Sequence, residues 1–317
     1  MKCLYCGNEI LPFEEAEKEW HKKCIKKFFD TPSLPKIKIN NEELNLLIDS
    51  YVNKGMTIPG VQKKISLHLS HDTDYRLTIV DYPTGFILKP QTSEYTNLPE
   101  YEDLGMRLAE CVGIKTVPHA LIRLNNEYAY ITKRIDRMIT DNAYKKYAME
   151  DFCQLTNHMT VDKYKSSYEY CAKTIKKYST QPEQDIREMF VRVVFSFIIG
   201  NSDMHLKNFS LIETKSGNRE FILSDAYDML PVNAILHEDT EQMALTINGK
   251  KKNILYKDFI QLAKNCGIPE KVAISLVERV CSYKEDMLKE VDKSYLSEEQ
   301  KEKVKELIIA RINTLSK

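Results

Sequence analysis

The feature that most constrains this chain is the run Phe190 to Ile199, "FVRVVFSFII", which is apolar on nearly every side and ends at Gly200. A helix that is hydrophobic all round must be buried in a core. The run is also well short of the roughly 20 residues that a membrane-spanning helix needs. The next stretch is polar: "GNSDMHLKNFS", residues 200–210, sets Asp203, His205 and Asn208 directly after the buried element. One reading is a plain helix end, since Gly is the common left-handed stop and Asn, Ser and Asp are ordinary turn residues. The other is a site, with polar groups fixed in place by the rigid helix behind them.

Composition narrows the choice of partners. The chain has 317 residues, enough for one large or two medium domains with a core that needs no disulfides. Lys plus Arg and Asp plus Glu balance at 46 each, so neither direct nucleic-acid binding nor membrane association is expected from overall charge. The start, "MKCLYCGNEI", has no apolar signal-peptide core, and the expected location is cytoplasmic. Of eight cysteines, Cys111, Cys153, Cys171, Cys266 and Cys281 stand singly in apolar or helical patterns, as expected of buried, reduced thiols.

The Pro-rich stretch "DTPSLPKI", residues 30–37, reads as a linker between a small Cys/His segment, residues 1–29, and the rest. A helix is expected at Glu42 to Val52, then a loop with Gly55, Pro59 and Gly60. Strands are expected at Lys64 to Leu69, Tyr75 to Val80, Gly85 to Leu88, Pro118 to Leu124 and Tyr128 to Thr132, the last two joined as a hairpin through Asn125-Asn126-Glu127. A helix from Pro99 to Cys111, stopped by Gly113, lies among them. After about Tyr144 helical periodicity takes over, at Glu183 to Ile199, Lys257 to Lys264, Glu270 to Leu288 and Ser297 to Leu315, interrupted by a hairpin within Asn208 to Ser224. The expected domains are therefore 1–29, a mixed α/β lobe at 30–143 and a mainly helical lobe at 144–317, an α+β fold of two lobes.

Asp203-x-His205-x-x-Asn208, with Asp228 beyond the hairpin in "LSDAYDML", is the set that phosphoryl transfer needs. A carboxylate orients the attacking hydroxyl and accepts its proton, and oxygen ligands hold the Mg²⁺ that neutralises the moving phosphoryl group. Asp203 fits the base, and Asn208 and Asp228 fit the metal ligands. His205 could order the loop or touch the phosphate, and Lys207 could do the latter. A nucleotide-binding region should precede them, with a Gly-containing loop, a strand Lys and a helix Glu. Gly55 and Gly60, then Lys89 at the end of "GFILKP", then Glu102 occur in that order.

On these segments the chain resembles the HipA-like serine/threonine kinases, toxins of bacterial toxin-antitoxin pairs linked to persistence and structurally related to phosphoinositide kinases. The similar stretches are "PGVQKKISL", "FILKP", "EYEDLGMRLAECVGI", "KRIDR", "EDFCQLT", "GNSDMHLKNFSL", "AYDMLP" and "MALTINGK". The resemblance implies a two-lobe protein-kinase-like fold and ATP with Mg²⁺ as cofactors. It implies that Lys89 contacts the ATP phosphates with Glu102 positioning it, that Gly60 belongs to the loop over the nucleotide, that Lys133, Arg134 and Ile135 give backbone hinge contacts to adenine, and that Gln154 lies near the nucleotide. It assigns Asp203, with His205 and Lys207 beside it, to catalysis and Asn208 and Asp228 to Mg²⁺. The family autophosphorylates a Ser in the loop before "GxQxK". The matching stretch here is Met56-Thr57-Ile58-Pro59, which makes Thr57 the candidate for a phosphoprotein form whose added charge would repel ATP. Long members carry an extra subdomain ahead of that loop, whereas 54 residues precede Gly55, so the chain resembles the short HipT type. The partners implied are a protein substrate, with aminoacyl-tRNA synthetases as the suggested class, a HipB-like DNA-binding antitoxin and a small HipS-like protein. Two other readings stay open: a regulatory protein that has lost catalysis and binds an antitoxin, and a small-molecule phosphotransferase.

Cys3-x2-Cys6 and His21-x2-Cys24 have the pairwise spacing of a small structural zinc knuckle. Alternatively Trp20, Phe28 and Phe29 pack the segment in place and the thiols stay reduced and metal-free.

Overall fold

From Ile65 to Ser70 buried and half-buried side chains alternate without a break, the signature of a strand with one face in a core. The computed structural model describes residues 1–37, 64–70, 75–80, 84–140, 143–236 and 238–316. The expected helix Glu42 to Val52 and the loop with Gly55, Thr57, Pro59 and Gly60 lie outside the described residues. The chain divides into two compact units, Met1–Asp103 with Val117–Tyr144, and Leu104–Thr116 with Lys145–Lys317.

The first unit begins with β1 (Ala16–Glu17), β2 (Trp20–His21) and α1 (Lys22–Phe29). Then come β3 (Lys36–Ile37), β4 (Ile65–Ser70), β5 (Arg76–Val80), β6 (Phe86–Pro90) and the start of α2 (Leu98–Cys111). They are followed by β7 (His119–Leu124), β8 (Glu127–Lys133), and β9 (Arg137–Thr140) with β10 (Ala143–Lys146) as a separate pair. Among the described residues a six-stranded sheet runs β3-β5-β4-β6-β8-β7. Its pairs are antiparallel except β3 with β5. The stretch expected as a linker thus supplies an edge strand: Lys36 N donates to Tyr75 O at 2.9 Å, and Ile37 stands beside Leu77.

Leu124 pairs with Glu127, so the β7–β8 turn has two residues and Glu127 belongs to the strand. Asn125 takes φ 58°, a left-handed conformation that Asn tolerates and that such a turn needs. Leu67, Leu77, Leu88, Leu121 and Ile131 are fully buried. Phe28 and Phe29 lie with ring centroids 5.8 and 5.6 Å from Phe86. Each such buried aromatic contributes roughly 1.5–3 kcal/mol of transfer free energy.

The second unit holds the rest of α2, then β11 (Met149–Asp151), α3 (Phe152–Leu155), α4 (Tyr168–Tyr178) and α5 (Pro182–Ile199). β12 (Ser210–Glu213), β13 (Phe221–Leu223) and α6 (Val232–Ile235) come next. The chain closes with α7 (Tyr256–Asn265), α8 (Glu270–Ser282), α9 (Lys284–Lys293) and α10 (Glu298–Leu315). In α5 every side chain from Met189 to Ile199 is buried, and α4, α8 and α10 pack around it. Gly200 stops it at φ 72°.

The hairpin β12–β13 gains a third strand, β11, on its other side. The helix expected across Glu270 to Leu288 breaks at Tyr283, after Ser282 Oγ turns back to the Arg279 carbonyl at 2.7 Å and competes with the helical ladder. Cys153 and Cys171 are buried as expected, but Cys111, Cys266 and Cys281 are partly exposed, because each stands at or near a helix end rather than under a packed face. Among the described residues no helix is long and apolar enough to cross a membrane.

Candidate active site

In the first unit, β6 delivers Lys89 to a buried position beside Tyr130, whose ring centroid is 5.3 Å from Lys89 Nζ. The ammonium donates directly to Glu102 Oε1 on α2. Burying either charge alone would be costly, and pairing is what makes both tolerable there. Local contacts fix α2 for this task. Asn97, at φ 60°, donates to Glu100 Oε1 at 2.8 Å, and Gln91 Oε1 accepts from Leu98 N at 3.2 Å. Asp103 lies 3.1 Å from His119 Nδ1 on β7. Lys133 and Arg134 use their backbone N–H groups within this unit, donating to Pro118 O at 2.9 Å and Gly85 O at 2.8 Å. Arg134 forks onto Asp136 at 2.9 and 2.8 Å, and Ile135 is half-buried.

In the second unit, the loop after α5 is tied to itself. Asp203 N donates to Asn201 Oδ1 at 3.2 Å, His205 N donates to Asp203 O at 2.8 Å, and Asn208 Nδ2 donates to the same carbonyl at 2.9 Å. Asp203, His205 and Asn208 are therefore one hydrogen-bonded loop. The Asp203 carboxylate accepts from the Tyr164 hydroxyl. Burial, reinforced by the charge of Asp203, holds the Tyr164 phenol well above its ordinary pKa, so it remains a donor. His205 stacks edge-on to Tyr164 at 5.0 Å, and its Nε2 is 3.8 Å from Asp203 Oδ1. Burial lowers its pKa to about 4 despite the neighbouring carboxylate, which makes it a neutral ring at physiological pH.

Lys207 is drawn away from a free role: its Nζ is 2.6 Å from Asp151 Oδ2. Asp151 is also the N-cap of α3, exchanging backbone and side-chain hydrogen bonds with Gln154 at 2.8 and 2.9 Å. Lys207 and Gln154 thus meet through Asp151. Asp228 adopts φ 55°, a left-handed conformation uncommon outside Gly. Its neighbours are fixed: Tyr227 OH donates to Lys207 O at 3.0 Å, and Met229 is fully buried. A Cβ on Gly105 of α2 would stand 2.1 Å from Met229 O, so only glycine lets α2 pass this backbone. Gly60 and Thr57 lie outside the described residues.

Three residues that matter to this geometry were not expected from the sequence: Tyr164, Asp151 and Gly105. Gly105 left a trace as a glycine inside an otherwise regular amphipathic helix, and Asp151 left one in "EDFCQLT", where it stands three residues before Gln154 at the spacing of a capping box.

The fold is that of a kinase. HipA of Shewanella oneidensis MR-1, solved in a complex with HipB and its operator DNA, superposes with a TM-score of 0.70 at 18% identity, covering 87% of this chain and 70% of that one. The proinflammatory kinase CtkA of Helicobacter pylori superposes with a TM-score of 0.56 at 17% identity, covering 79% and 93%. A family model described as the HipA-like C-terminal domain matches residues 56–287, and the chain belongs to that family. A Haemophilus influenzae relative named "Putative kinase" is 26% identical over 83% of this chain and 82% of its own length. "Putative kinase Y4dM" of Sinorhizobium fredii is 30% identical over 69% of this chain, which spans only 55% of it.

Proposed function

We propose that this protein is an ATP- and Mg²⁺-dependent serine/threonine protein kinase of the HipA/HipT type. The observation that carries the reading is the Asn208 side chain. Its Nδ2 donates to the carbonyl of Asp203 at 2.9 Å, which leaves Oδ1, the atom a magnesium ion takes, for another partner. One amide thereby fixes the catalytic loop and presents a hard oxygen ligand.

In this reading Asp203 orients the acceptor hydroxyl and takes its proton, with Tyr164 holding the carboxylate at a fixed angle. Asn208 and Asp228 hold Mg²⁺, which supplies charge neutralisation of the phosphates when bound. Lys89, held by Glu102, meets the nucleotide phosphates, and Lys133 to Ile135 give backbone hinge contacts to adenine through groups other than the Lys133 and Arg134 N–H, which are paired within the unit. Neutral His205 orders the loop. Lys207, held by Asp151, serves the loop's position rather than the phosphate.

The domain plan of 1–29, 30–143 and 144–317 belongs to the same proposal. So do the cytoplasmic setting, the toxin role with a HipB-like antitoxin and a HipS-like protein, and the substrate class of aminoacyl-tRNA synthetases. Phosphate on Thr57 would switch the enzyme off by repelling ATP. The test is transfer from γ-labelled ATP to host proteins. Asp203→Asn and Asp228→Asn should each abolish it while the folded chain persists, and undiminished transfer by either variant removes the assignment. Transfer to small molecules alone would favour a small-molecule phosphotransferase, and ATP binding without turnover a regulatory protein.

A further inference from the structure

The amino-terminal segment lies outside the family match, which begins at residue 56, and nothing in the kinase reading uses its side chains. Yet Cys3, Cys6, His21 and Cys24 bring one ligand atom each to within 4.8 Å of one another. We propose that these four residues form a closed structural zinc site that fastens the amino-terminal segment to the sheet carrying Lys89.

The distances fit a single tetrahedral ion. Bonds of about 2.3 Å to sulfur and about 2.0 Å to nitrogen place neighbouring ligand atoms of a tetrahedron roughly 3.5–4 Å apart. His21 Nδ1 is 3.5 Å from Cys6 Sγ and 3.8 Å from Cys24 Sγ. The other ring nitrogen, Nε2, is 3.1 Å from Glu14 Oε2. A carboxylate there keeps the proton on Nε2 and leaves the Nδ1 lone pair facing the thiols, which is how ligating histidines are oriented.

The backbone is shaped to match. Gly7 N donates to Cys3 O at 2.8 Å with Gly7 at φ 69°, folding Cys3-x2-Cys6 into a tight turn, and His21 N points at Cys3 Sγ at 3.5 Å. On metal binding the three thiols lose their protons to solvent as three Zn–S bonds form. Four protein ligands leave no position for substrate, so the site is structural.

The fastening is visible beyond the ligands. Leu4, between the first two cysteines, accepts from Leu121 N of β7 at 3.0 Å. α1, which begins one residue after His21 and carries Cys24, lays Phe28 and Phe29 against Phe86, three residues before Lys89 on its strand.

The experiment uses the full chain, expressed with zinc and purified without chelators, and reads metal by mass spectrometry. One zinc ion per chain is expected, replaceable by cobalt with the intense d–d and thiolate charge-transfer bands of a tetrahedral site. Cys3→Ser and Cys24→Ser should lose the metal, and Glu14→Gln should keep it with affinity weakened by about 10- to 100-fold in chelator competition. Stripping zinc should speed hydrogen exchange at the Leu121 amide. A zinc-free chain bearing a Cys3–Cys6 disulfide would overturn the site, as would zinc retained by Cys24→Ser. Unchanged exchange at Leu121 after stripping would overturn the fastening.

Discussion

Lys89 and Glu102 bury their opposite charges with side chains 4% and 3% exposed, whereas Asp203 keeps 44% of its side chain exposed while accepting from Tyr164. The first pair depends on mutual neutralisation, because neither charge has water to fall back on. The second contact leaves the carboxylate solvated and only restricts its direction. Damage to the first should therefore appear as lost stability, and damage to the second as lost chemistry.

The largest expected effect is on the exposed side. Asp203→Asn should lower phosphoryl transfer by about 10³-fold or more, the upper part of the range for a general base, with stability changed by no more than about 0.5 kcal/mol. Labelled-ATP assays and urea melts on the same variant read both. On the buried side, Lys89→Met should cost about 3–5 kcal/mol in urea unfolding, since it takes the ammonium away from the buried Glu102 carboxylate; a cost near zero would erase the contrast.

His205 adds a pH-dependent version of burial. Its folded pKa is lowered from 6.5 to about 4, so the unfolded chain takes up the proton first as pH falls. Its contribution is complete above pH 6.5 and is lost as pH falls through 4, reaching about 3 kcal/mol. Urea midpoints across that window should drop in the native chain and stay flatter in His205→Gln.

Gly105→Ala should destabilise by about 1–3 kcal/mol, because the clash with the Met229 carbonyl outweighs the gain in helix propensity of about 1 kcal/mol. It should also weaken transfer through the neighbouring Asp228. The smallest effect is Tyr164→Phe, expected to lower kcat about tenfold, or about 1.4 kcal/mol, with KM for ATP unchanged.

How much was legible in the sequence depends on range. The strands at 65–70, 76–80 and 119–124 were expected to within a residue or two because alternation is local. The buried helix ending at Gly200 was legible for the same reason, since its apolar run has only one stable environment. The loop with Asp203, His205 and Asn208 was visible as a spacing. The pairings of Tyr164 with Asp203, 39 residues away, and of Asp151 with Lys207, 56 residues away, were not, because local pattern carries no sign of contacts at that range. The parallel pairing of Lys36–Ile37 was hidden by prolines that read as a linker. The break at Tyr283 depended on one serine turning back on its own helix.

The ordering of the six-stranded sheet has a practical consequence. Among the described residues its two outermost strands are β3 and β7. β3 is itself part of the first 37 residues, and β7 is shielded by the Leu4 carbonyl and by Glu19, which grips Arg123 at 2.8 and 3.2 Å. A chain trimmed to the family boundaries, residues 56–287, would expose unpaired backbone on both flanks of its sheet. Such flanks recruit strands from other molecules, so the trimmed protein should aggregate where the whole one stays dispersed.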